Sequence, residues 1–584
     1  MPAVIKKIFA SRYWWLLLLV VLIVINFLAS AFHSRLDLTK EKRYTLSKAT
    51  KELLNGLDDD MQVDVFLKGD FPAGFQKLAN STNDFMQLIK DRNSSKIHYR
   101  FISPKDEIPG TNVKYGDTLV SLGASPINLT VQLKEGQQQN YIFPVALITY
   151  KGKQQLINLY NGSSRFISQN EINEAEALLE YQFVSVLDKI INDKRPSVGY
   201  AVGNGEPVDG RTYDLAETIK QDFNFGMVDL NVTPRVPDKV DVLIVVKPAL
   251  QFTDDEKLKI DQFVMRGGKL LCFIDNLFAE PDSLTGKSET VAYDRNLNLT
   301  DLFFRYGVRI NTDLVTDLQC DAIPFVVGQG SNGQPQQEFL QWIYYPLFQP
   351  GNNHPINRNL GLIAAKFVNS IDTIDVAGIR KTVLLSSSST SRIIKTPALI
   401  SLNENREAPR SDKFRQANIP VAMLLEGEFT SLFRNRMSKA MIDTLASRNT
   451  PFLPGSKENK MIIVADGDIV LNDFISSGGP GTRPEPIPMG FNKSAVVYMQ
   501  QTGDDRFFHE VANRQFLQNS LEYLVANPAI IETRNKNIVL RLLDSTKVKA
   551  QKTTWQLINI ALPILLVILF GFIYQQIRKR KYAS

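Results

Sequence analysis

Strand-like and helix-like patterns of apolar residues alternate along most of this chain. MQVDVFL at residues 61–67 alternates apolar and polar positions with period two, which is typical of a strand with one buried face. Residues 75–90 have the spacing of an amphipathic helix, and KIHYRFI at residues 96–102 is again strand-like. Together these three segments predict a small β-α-β unit.

A long amphipathic helix and a basic link follow this unit. Ser168 and Glu171 predict a capping box at the start of the helix, and its apolar residues form a single stripe. The stripe fits a face turned toward the core, and a face for a partner helix is the alternative. Lys194-Arg195-Pro196 predicts a domain boundary, because a new series of strands and helices begins at once.

The second series has short strands separated by helices. Strands are predicted near residues 197–202, 227–232, 240–246 and 269–274. A helix near residues 213–222 and another that opens at the capping box of Thr253 and Glu256 lie between them. This order predicts an α/β fold built on a parallel sheet with helices on its faces. Residues 279–416 are less regular and are interpreted as an elaborated part of the same domain.

Two uninterrupted apolar segments predict transmembrane helices. Trp14–Phe32 and Trp555–Tyr574 are each close to the ~20 residues that cross a ~30 Å hydrocarbon core. Trp14 and Trp15 at one segment, and Trp555 and Tyr574 at the other, are expected to be interfacial anchors. A cleaved signal peptide is the alternative for the first segment, because residues 29–31 read Ala-Ser-Ala.

Basic residues outside the two apolar segments predict the orientation of the chain in the membrane. They are Lys6, Lys7 and Arg12 before the first, and Arg578, Lys579, Arg580 and Lys581 after the second. By the positive-inside rule both termini are expected in the cytoplasm and the intervening body on the far side, which is the periplasm in a bacterium. The formal charge of +6 is explained by these ends, so the body has no excess of the kind that a nucleic-acid binder carries.

The predicted organisation has four parts. Residues 1–32 form the N-terminus and first span, and residues 33–193 a smaller, strand-rich α/β domain. Residues 194–550 form a second α/β domain, and residues 551–584 the second span with its basic tail. The localisation that follows is the inner membrane, crossed twice.

One acidic stretch is a candidate for chemistry. MIIVA at residues 461–465 predicts a buried strand, and Asp466 and Asp468 then fall at its carboxyl end, where open α/β sheets place their ligand sites. With Asp473 they are candidate ligands for a divalent cation, or an acid and base. Asp-Gly-Asp is equally a turn that caps the next segment, and without a nearby His or Cys this reading is preferred.

A second loop contains Gly203, Asn204, Gly205 and Glu206 after a predicted strand. Pro207 follows where a dinucleotide-binding loop needs its third glycine, so the fingerprint fails and a tight turn is favoured. No cofactor is predicted.

The remaining reactive residue types do not form a catalytic pattern. No histidine stands beside a cysteine or a nucleophile elbow, which leaves nucleophilic catalysis without its base. Cys272 lies in a strand-like run and is expected to be a buried thiol, and a bridge to Cys320 is left open. The sequence therefore favours a protein that is not an enzyme.

Several segments together resemble the GldG family of gliding-motility-associated ABC transporter accessory subunits. They are LDLTKEKRYTLSKATKELL, VGYAVGNGEP, QFVMRGGKLLCFID, LNLTDLFFRYGVRINTDLVTDLQCDAIP, NNHPINRNL and IIVADGDIV. The family often has a histidine where this chain has Asn204. The resemblance extends over nearly the whole chain, and its specificity comes from the order of the segments.

The resemblance implies partners and a fold. The partners are a multispanning GldF-like permease subunit and a cytoplasmic GldA-like ATPase. The implied fold of the second domain is a flavodoxin-like or glutamine-amidotransferase-like sheet without the enzymatic activity, similar also to a domain of an intraflagellar-transport protein. A Bacteroidetes source and a role in gliding motility with linked secretion are further expectations. The alternatives are an enzyme that uses Asp466 and Asp468, and a periplasmic solute receptor.

Overall fold

The structure is a computed structural model that describes residues 19–20, 22–24 and 45–582. Its gaps within the last range are residues 70, 125, 134–135, 161–168, 193–194, 285–286, 330–334, 359, 403–410, 448–449, 477–483, 526–527 and 534–544. Of the predicted first span, only residues 19–20 and 22–24 are described, as exposed helix, whereas Trp14, Trp15 and the capping residue Ser168 lie outside the described residues.

The N-terminal unit is a four-stranded sheet covered by helices. Strand β1 (Met61–Val65) pairs in parallel with β2 (Ile97–Phe101), which confirms the predicted β-α-β unit. The other elements are α1 (Lys48–Asn55), α2 (Ala73–Arg92), α3 (Tyr115–Ser121), the hairpin β3 (Ile127–Leu133) and β4 (Gly136–Ile142), then β5 (Val145–Tyr150), β6 (Lys153–Asn158) and α4 (Gln169–Asn192). The apolar stripe of α4 faces the core, with Ile172, Leu179 and Phe183 buried against the sheet.

A seven-stranded sheet forms the second unit. Its spatial order is β19-β22-β23-β10-β9-β7-β8. The strands are β7 (Ser197–Val202), β8 (Asn224–Asp229), β9 (Val242–Val246), β10 (Lys269–Phe273), β19 (Ile379–Ser386), β22 (Pro420–Thr430) and β23 (Gly455–Val464). The helices that cover it include α5 (Tyr213–Asp222), α6 (Asp254–Met265), α7 (Thr300–Tyr306) and α10 (Asn513–Val525).

Five of these strands are parallel, as the alternation predicts, and two are not. Strands β8, β7, β9, β10 and β23 run in one direction, whereas β22 is antiparallel to β23 and β19 is antiparallel to β22. Thr430 at the end of β22 pairs with Gly455 at the start of β23, so the chain returns along its neighbour and needs no crossover helix. The sheet is therefore mixed and not purely parallel.

Both faces of this sheet are buried, which explains the unbroken apolar runs of its central strands. In β9, Val242, Ile244 and Val246 belong to the core on one face, and Leu243 and Val245 to the core on the other. The strands thereby fix the position of whatever follows them at the edge of the sheet.

The middle of the chain adds small sheets beside this core. They contain β11 (Leu277–Phe278), β12 (Glu289–Asp294) and β21 (Ala398–Ser401), then β13 (Val308–Ile310) with β18 (Ile371–Thr373), and β14 (Asp313–Asp317) with β20 (Ser391–Lys395). The others are β15 (Cys320–Gln329), β16 (Pro335–Phe348) and β17 (Ile363–Ala364), β24 (Phe474–Ile475) and β25 (Glu485–Pro486), and the helices α8 (Lys439–Ser447), α9 (Lys493–Thr502) and α11 (Pro528–Glu532).

The last element, α12 (Ser545–Tyr582), contains the predicted second span. An 18-residue window within residues 554–580 has a mean hydropathy of 2.6, none of that window is buried within the protein, and by length and composition the segment is able to cross a membrane. Trp555 and Tyr574 are exposed along it, and Arg578, Lys579 and Arg580 are exposed beyond them. Among the described residues this is the single helix of that kind.

Candidate functional site

Three neighbouring strands of the large sheet end in charged residues at the same edge. Lys247 follows β9, Asp275 lies two residues after β10, and Asp466 and Asp468 come just after β23. Phe273 pairs with both Val246 and Val464, so the ends of the three strands coincide. Together with Glu280, these four residues form what we call the lysine-centred cluster.

The ammonium group of Lys247 is at the centre of this cluster. Its Nζ lies 2.7 Å from Oδ1 of Asp468, 3.1 Å from Oδ2 of Asp275 and 2.9 Å from Oε2 of Glu280. Only 5% of the Lys247 side chain is exposed. The cation therefore has three carboxylate partners in a site that holds little water.

The backbone around Lys247 is unusual in two ways. Lys247 has φ of +44°, in the left-handed region that non-glycine residues rarely adopt. Gly467 packs so closely against it that a Cβ at Gly467 would come within 2.6 Å of the Lys247 Cβ. The glycine of Asp-Gly-Asp is therefore required by this close approach, since its own φ of −82° suits any residue.

Asp466 makes the turn that the sequence suggests. Its Oδ1 accepts a hydrogen bond from the backbone N–H of Asp468 at 2.7 Å, and its Oδ2 accepts one from the N–H of Lys366 at 2.8 Å. The residue is completely buried. The same Asp-Gly-Asp stretch thus forms a turn and also contributes to the charged cluster.

The carboxyl groups of the cluster differ in pKa because they differ in their distance from the ammonium groups. Burial raises the pKa of Asp466 well above its usual value, and the neighbouring carboxylates add to this effect. Burial also raises the pKa of Asp275, to about 6, although Lys247 opposes the shift. Burial acts on Asp468 as well, but Lys247 and Lys366 outweigh it and lower its pKa. Asp468 is therefore the main counter-ion of Lys247.

Asp473 lies in a different ion pair. Its carboxylate accepts a hydrogen bond from Lys366 Nζ at 2.9 Å. The residue that joins Asp466 and Asp468 is Asp275, and carboxylate oxygens of these three lie within 4.8 Å of one another. Oxygen ligands at such spacing suit a divalent cation, but Lys247 Nζ already contacts two of the three carboxylates and would have to move to admit one.

Sequence reasoning missed both Lys247 and Asp275. Their positions could have indicated them, because each follows an apolar strand, as Asp466 does. Their partners are distant in the sequence, since Lys247 and Asp468 are 221 positions apart. Only the order of strands in the sheet brings them together.

The loop Gly203–Glu206 lies at the same edge, at the end of β7. Glu206 Oε2 accepts a hydrogen bond from the N–H of Asn204 at 2.8 Å, and Asn204 Nδ2 donates to Glu256 Oε2 at 3.0 Å. Gly203 and Gly205 have φ of +123° and +79°, which glycine adopts readily. We call these four residues the Glu206 loop. It is a tight turn, and α5 begins several residues beyond it.

No lysine or arginine neutralises the Glu206 loop among the partners that the described part of the chain provides. Burial raises the pKa of Glu206 to about 7, and Glu256 and Asp229 contribute in the same direction. Asn204 Oδ1 and Glu206 Oε1 are buried and accept no hydrogen bond from any described residue. A buried carboxyl without a cation is expected to hold a proton near neutral pH.

Both cysteines are free and buried, so the bridge that the sequence left open is absent from this structure. Burial raises the thiol pKa of Cys272, and it raises that of Cys320 to about 12. Neither thiol is therefore ionised at neutral pH, as a nucleophile would need to be.

Comparison with known proteins places the second unit in a family. Residues 195–517 match the model of a family described as an ABC-type uncharacterized transport system, and residues 40–149 match a domain of unknown function. An uncharacterized protein of Borreliella burgdorferi is 22% identical over 457 residues, which are 76% of this chain and 79% of that protein.

Two solved structures are similar at a lower level. The mmIFT52 N-terminal domain is 12% identical, with a TM-score of 0.29 over 57% of this chain and 98% of that one. The exo-beta-1,4-mannosidase Op5Man5 from Opitutaceae bacterium strain TAV5 is 11% identical, with a TM-score of 0.18 over 74% and 51% of the two chains.

Proposed function

Because the chain belongs to the family of the ABC-type uncharacterized transport system, we propose that it is a non-catalytic subunit whose α/β body works outside the cytoplasm beside the transporter. In this proposal residues 33–550 form the extracytoplasmic part, in two domains that meet near residue 194. The segments around Trp14–Phe32 and Trp555–Tyr574 hold it to the membrane at both ends.

The observation that carries the proposal is the exposed apolar helix at the end of a chain from a transporter family. Its segment Thr554–Arg580 has no contact with the body that would bury it, and in water its apolar side chains would be costly to expose. A lipid bilayer removes that cost. The basic residues that follow fit the cytoplasmic side.

The chemistry of the sheet edge favours a role without catalysis. Lys247 engages Asp468 and Asp275, so these carboxylates are not available as a base with an open approach. The competing hypothesis is a hydrolase or amidotransferase-like enzyme that uses Asp466 and Asp468. It would require Lys247 to leave, because a reacting group must lie within hydrogen-bond distance of the catalytic carboxylate.

The partners that fit this role are a multispanning permease of the GldF type and a cytoplasmic ATPase of the GldA type. One or two spans are too few to form a transport pathway alone, so the subunit depends on another membrane protein. The resemblance to the GldG family further supports a role in gliding motility and linked secretion in Bacteroidetes. Expression in a gliding Bacteroidetes strain that lacks its own GldG-family protein should restore spreading, and failure despite normal membrane insertion would leave a transport role without motility.

Reporter fusions test the proposed topology. An enzyme that is active only in the periplasm should work when fused after Lys549 and should be inactive when fused after Ser584. The reverse pattern would contradict the proposal. A mature N-terminus at Phe32 would show that the first segment is a cleaved signal peptide and that the body has a single anchor.

A further inference from the structure

A cavity of about 660 Å³ is lined by residues other than those of the lysine-centred cluster, although Asn276 in its wall directly follows Asp275. Its walls are the turn after β12, the start of α7 and the segment 431–436 that follows β22. This volume is within the range of sites that bind small molecules. It needs an occupant of matching chemistry.

The arginines of this cavity carry the argument. Arg305, Arg434 and Arg436 line it, against two aspartates, Asp294 and Asp301. Asp301 is already neutralised, because its carboxylate lies 3.1 Å from Lys257 Nζ and 2.8 Å from Arg436 Nη1. The positive charge in the cavity therefore exceeds the negative charge.

Two of the three guanidinium groups are open. Within the described ranges of the chain, no hydrogen bond or ion pair engages the side chain of Arg305 or Arg434, and both residues are exposed. Arginine presents planar N–H donors that bind a carboxylate or a phosphate in a bidentate manner. Two such guanidinium groups in one cavity provide the hydrogen-bond donors that an anion requires.

The part of the lining at Asn296 and Asn298 is held in a fixed shape. Asn296 and Asn298 have φ of +55° and +60°, a conformation that costs energy in residues other than glycine and is retained where surrounding contacts impose it. The backbone N–H of Asn296 donates to Asp294 Oδ1 at 2.7 Å, and Asn298 Nδ2 donates to the carbonyl of Phe252 at 2.8 Å. This part of the lining is therefore held in place by contacts within the protein.

We propose that this cavity binds a small anion through Arg305 and Arg434, a ligand with a carboxylate or phosphate group and a polar body. The Asn296 and Asn435 amides in the lining supply donors and acceptors for the polar part. The inference does not depend on assembly with a transporter, since binding is measured on the chain alone. It makes the protein a ligand-binding subunit as well as a scaffold.

Binding to the purified full chain in detergent tests this proposal. Glucose 6-phosphate and citrate are the anionic probes, and glucose is the neutral match for the first. We expect both anions to bind at millimolar concentration or below and to raise the unfolding temperature, with no effect of glucose. Arg305→Gln and Arg434→Gln should each weaken anion binding about tenfold or more, because each removes a charge-assisted pair of hydrogen bonds.

The matched control is Arg415→Gln, which removes an exposed arginine outside the cavity. It should bind the anions as the parent does. Absence of anion binding at millimolar concentration would overturn the proposal, and so would equal binding of glucose or an equal loss in Arg415→Gln. Normal topology and transporter assembly combined with any of these results would leave the proposed function intact and remove only the ligand site.

Discussion

The lysine-centred cluster and the Glu206 loop lie at the same edge of one sheet, and both contain buried carboxyl groups. They differ in whether a cation lies beside those groups. In the cluster, Lys247 neutralises Asp468 and shares its charge with Asp275. At the loop, Asn204 links Glu206 to Glu256, and neither carboxyl group forms an ion pair with a described lysine or arginine. Burial of an ionised group is costly unless a counter-ion is present, so Asp468 remains charged beside Lys247, whereas Glu206 keeps its proton up to about pH 7.

This difference distinguishes a carboxylate with a lysine partner, Asp468, from a carboxyl group without one, Glu206. Both follow strands at the same edge of the sheet, so position alone does not indicate chemistry. Lys247 lies at the end of β9, between β10 and β7, and its ammonium group contacts carboxylates that follow β10 and β23 but, among the described residues, is not paired with Glu206. The four predictions below test this contrast, in order of decreasing effect.

Removal of the cluster's cation should have the largest effect. Lys247→Met removes the ammonium group that contacts the buried Asp468 and Asp275, and we expect a loss of about 3–5 kcal/mol in the free energy of unfolding. Denaturant unfolding of the full chain in detergent, followed through the buried Trp342, measures this change. The control Lys220→Met removes an exposed ion pair with Glu217 and should change stability by less than about 0.5 kcal/mol. Equal, small effects of both substitutions would contradict a structural role for Lys247.

The ionisation of Glu206 should make the free energy of unfolding depend on pH. The Glu206 pKa is about 7 in the folded protein, against about 4.3 for an unfolded chain, so the folded state binds more protons in this window. Stability from this group is fully present below about pH 4.3 and is lost as the pH rises toward 7. Glu206→Gln cannot ionise, so its stability relative to the parent should rise by about 2–3 kcal/mol between pH 4.5 and pH 8.

The comparison with the parent at each pH isolates Glu206 from Asp275, which titrates in both proteins. Glu217→Gln, on the exposed surface, is the matched control and should follow the parent at every pH. A constant difference between Glu206→Gln and the parent would show that Glu206 ionises normally.

The close backbone contact at the cluster predicts a smaller, steric effect. Gly467→Ala places a Cβ within 2.6 Å of the Lys247 Cβ, and we expect a loss of about 1–3 kcal/mol from the shift that this contact forces. Gly226→Ala is the control, because no atom lies within 4 Å of its new Cβ. Thermal unfolding of both variants measures the difference. If Gly467→Ala were as stable as Gly226→Ala, Lys247 would not be held as closely as described.

The smallest expected effect is that of divalent cations. Because Lys247 fills the space between Asp468 and Asp275, calcium, magnesium or a chelator should shift the unfolding temperature of the full chain by less than about 1 °C. Calorimetry with each addition tests this expectation. A larger shift that disappears in both Asp466→Asn and Asp468→Asn would assign a metal to the cluster and strengthen the enzyme hypothesis.

Local elements could be predicted from the sequence, but their partners in the fold could not. The capping box of Thr253 and Glu256 is present at α6, and β10 and α5 lie within one residue of their predicted bounds. The antiparallel strands β22 and β19 were not expected, because an apolar run buried on both faces has the same pattern in either direction. For the candidate site, the sequence indicates that Asp466 and Asp468 lie at the end of a buried strand. It does not indicate that Lys247 and Asp275 lie beside them.

The sequence by itself determined which segments form strands, helices and the apolar helix of residues 554–580, because period and length follow from backbone geometry and from the cost of exposing apolar surface. The tertiary structure alone decided that Asp468 contacts Lys247, whereas Glu206 is paired with no lysine or arginine among the described residues. Charge neutralisation depends on distances of a few ångströms between residues far apart in the chain. Those distances exist only once the strands have taken their order in the sheet.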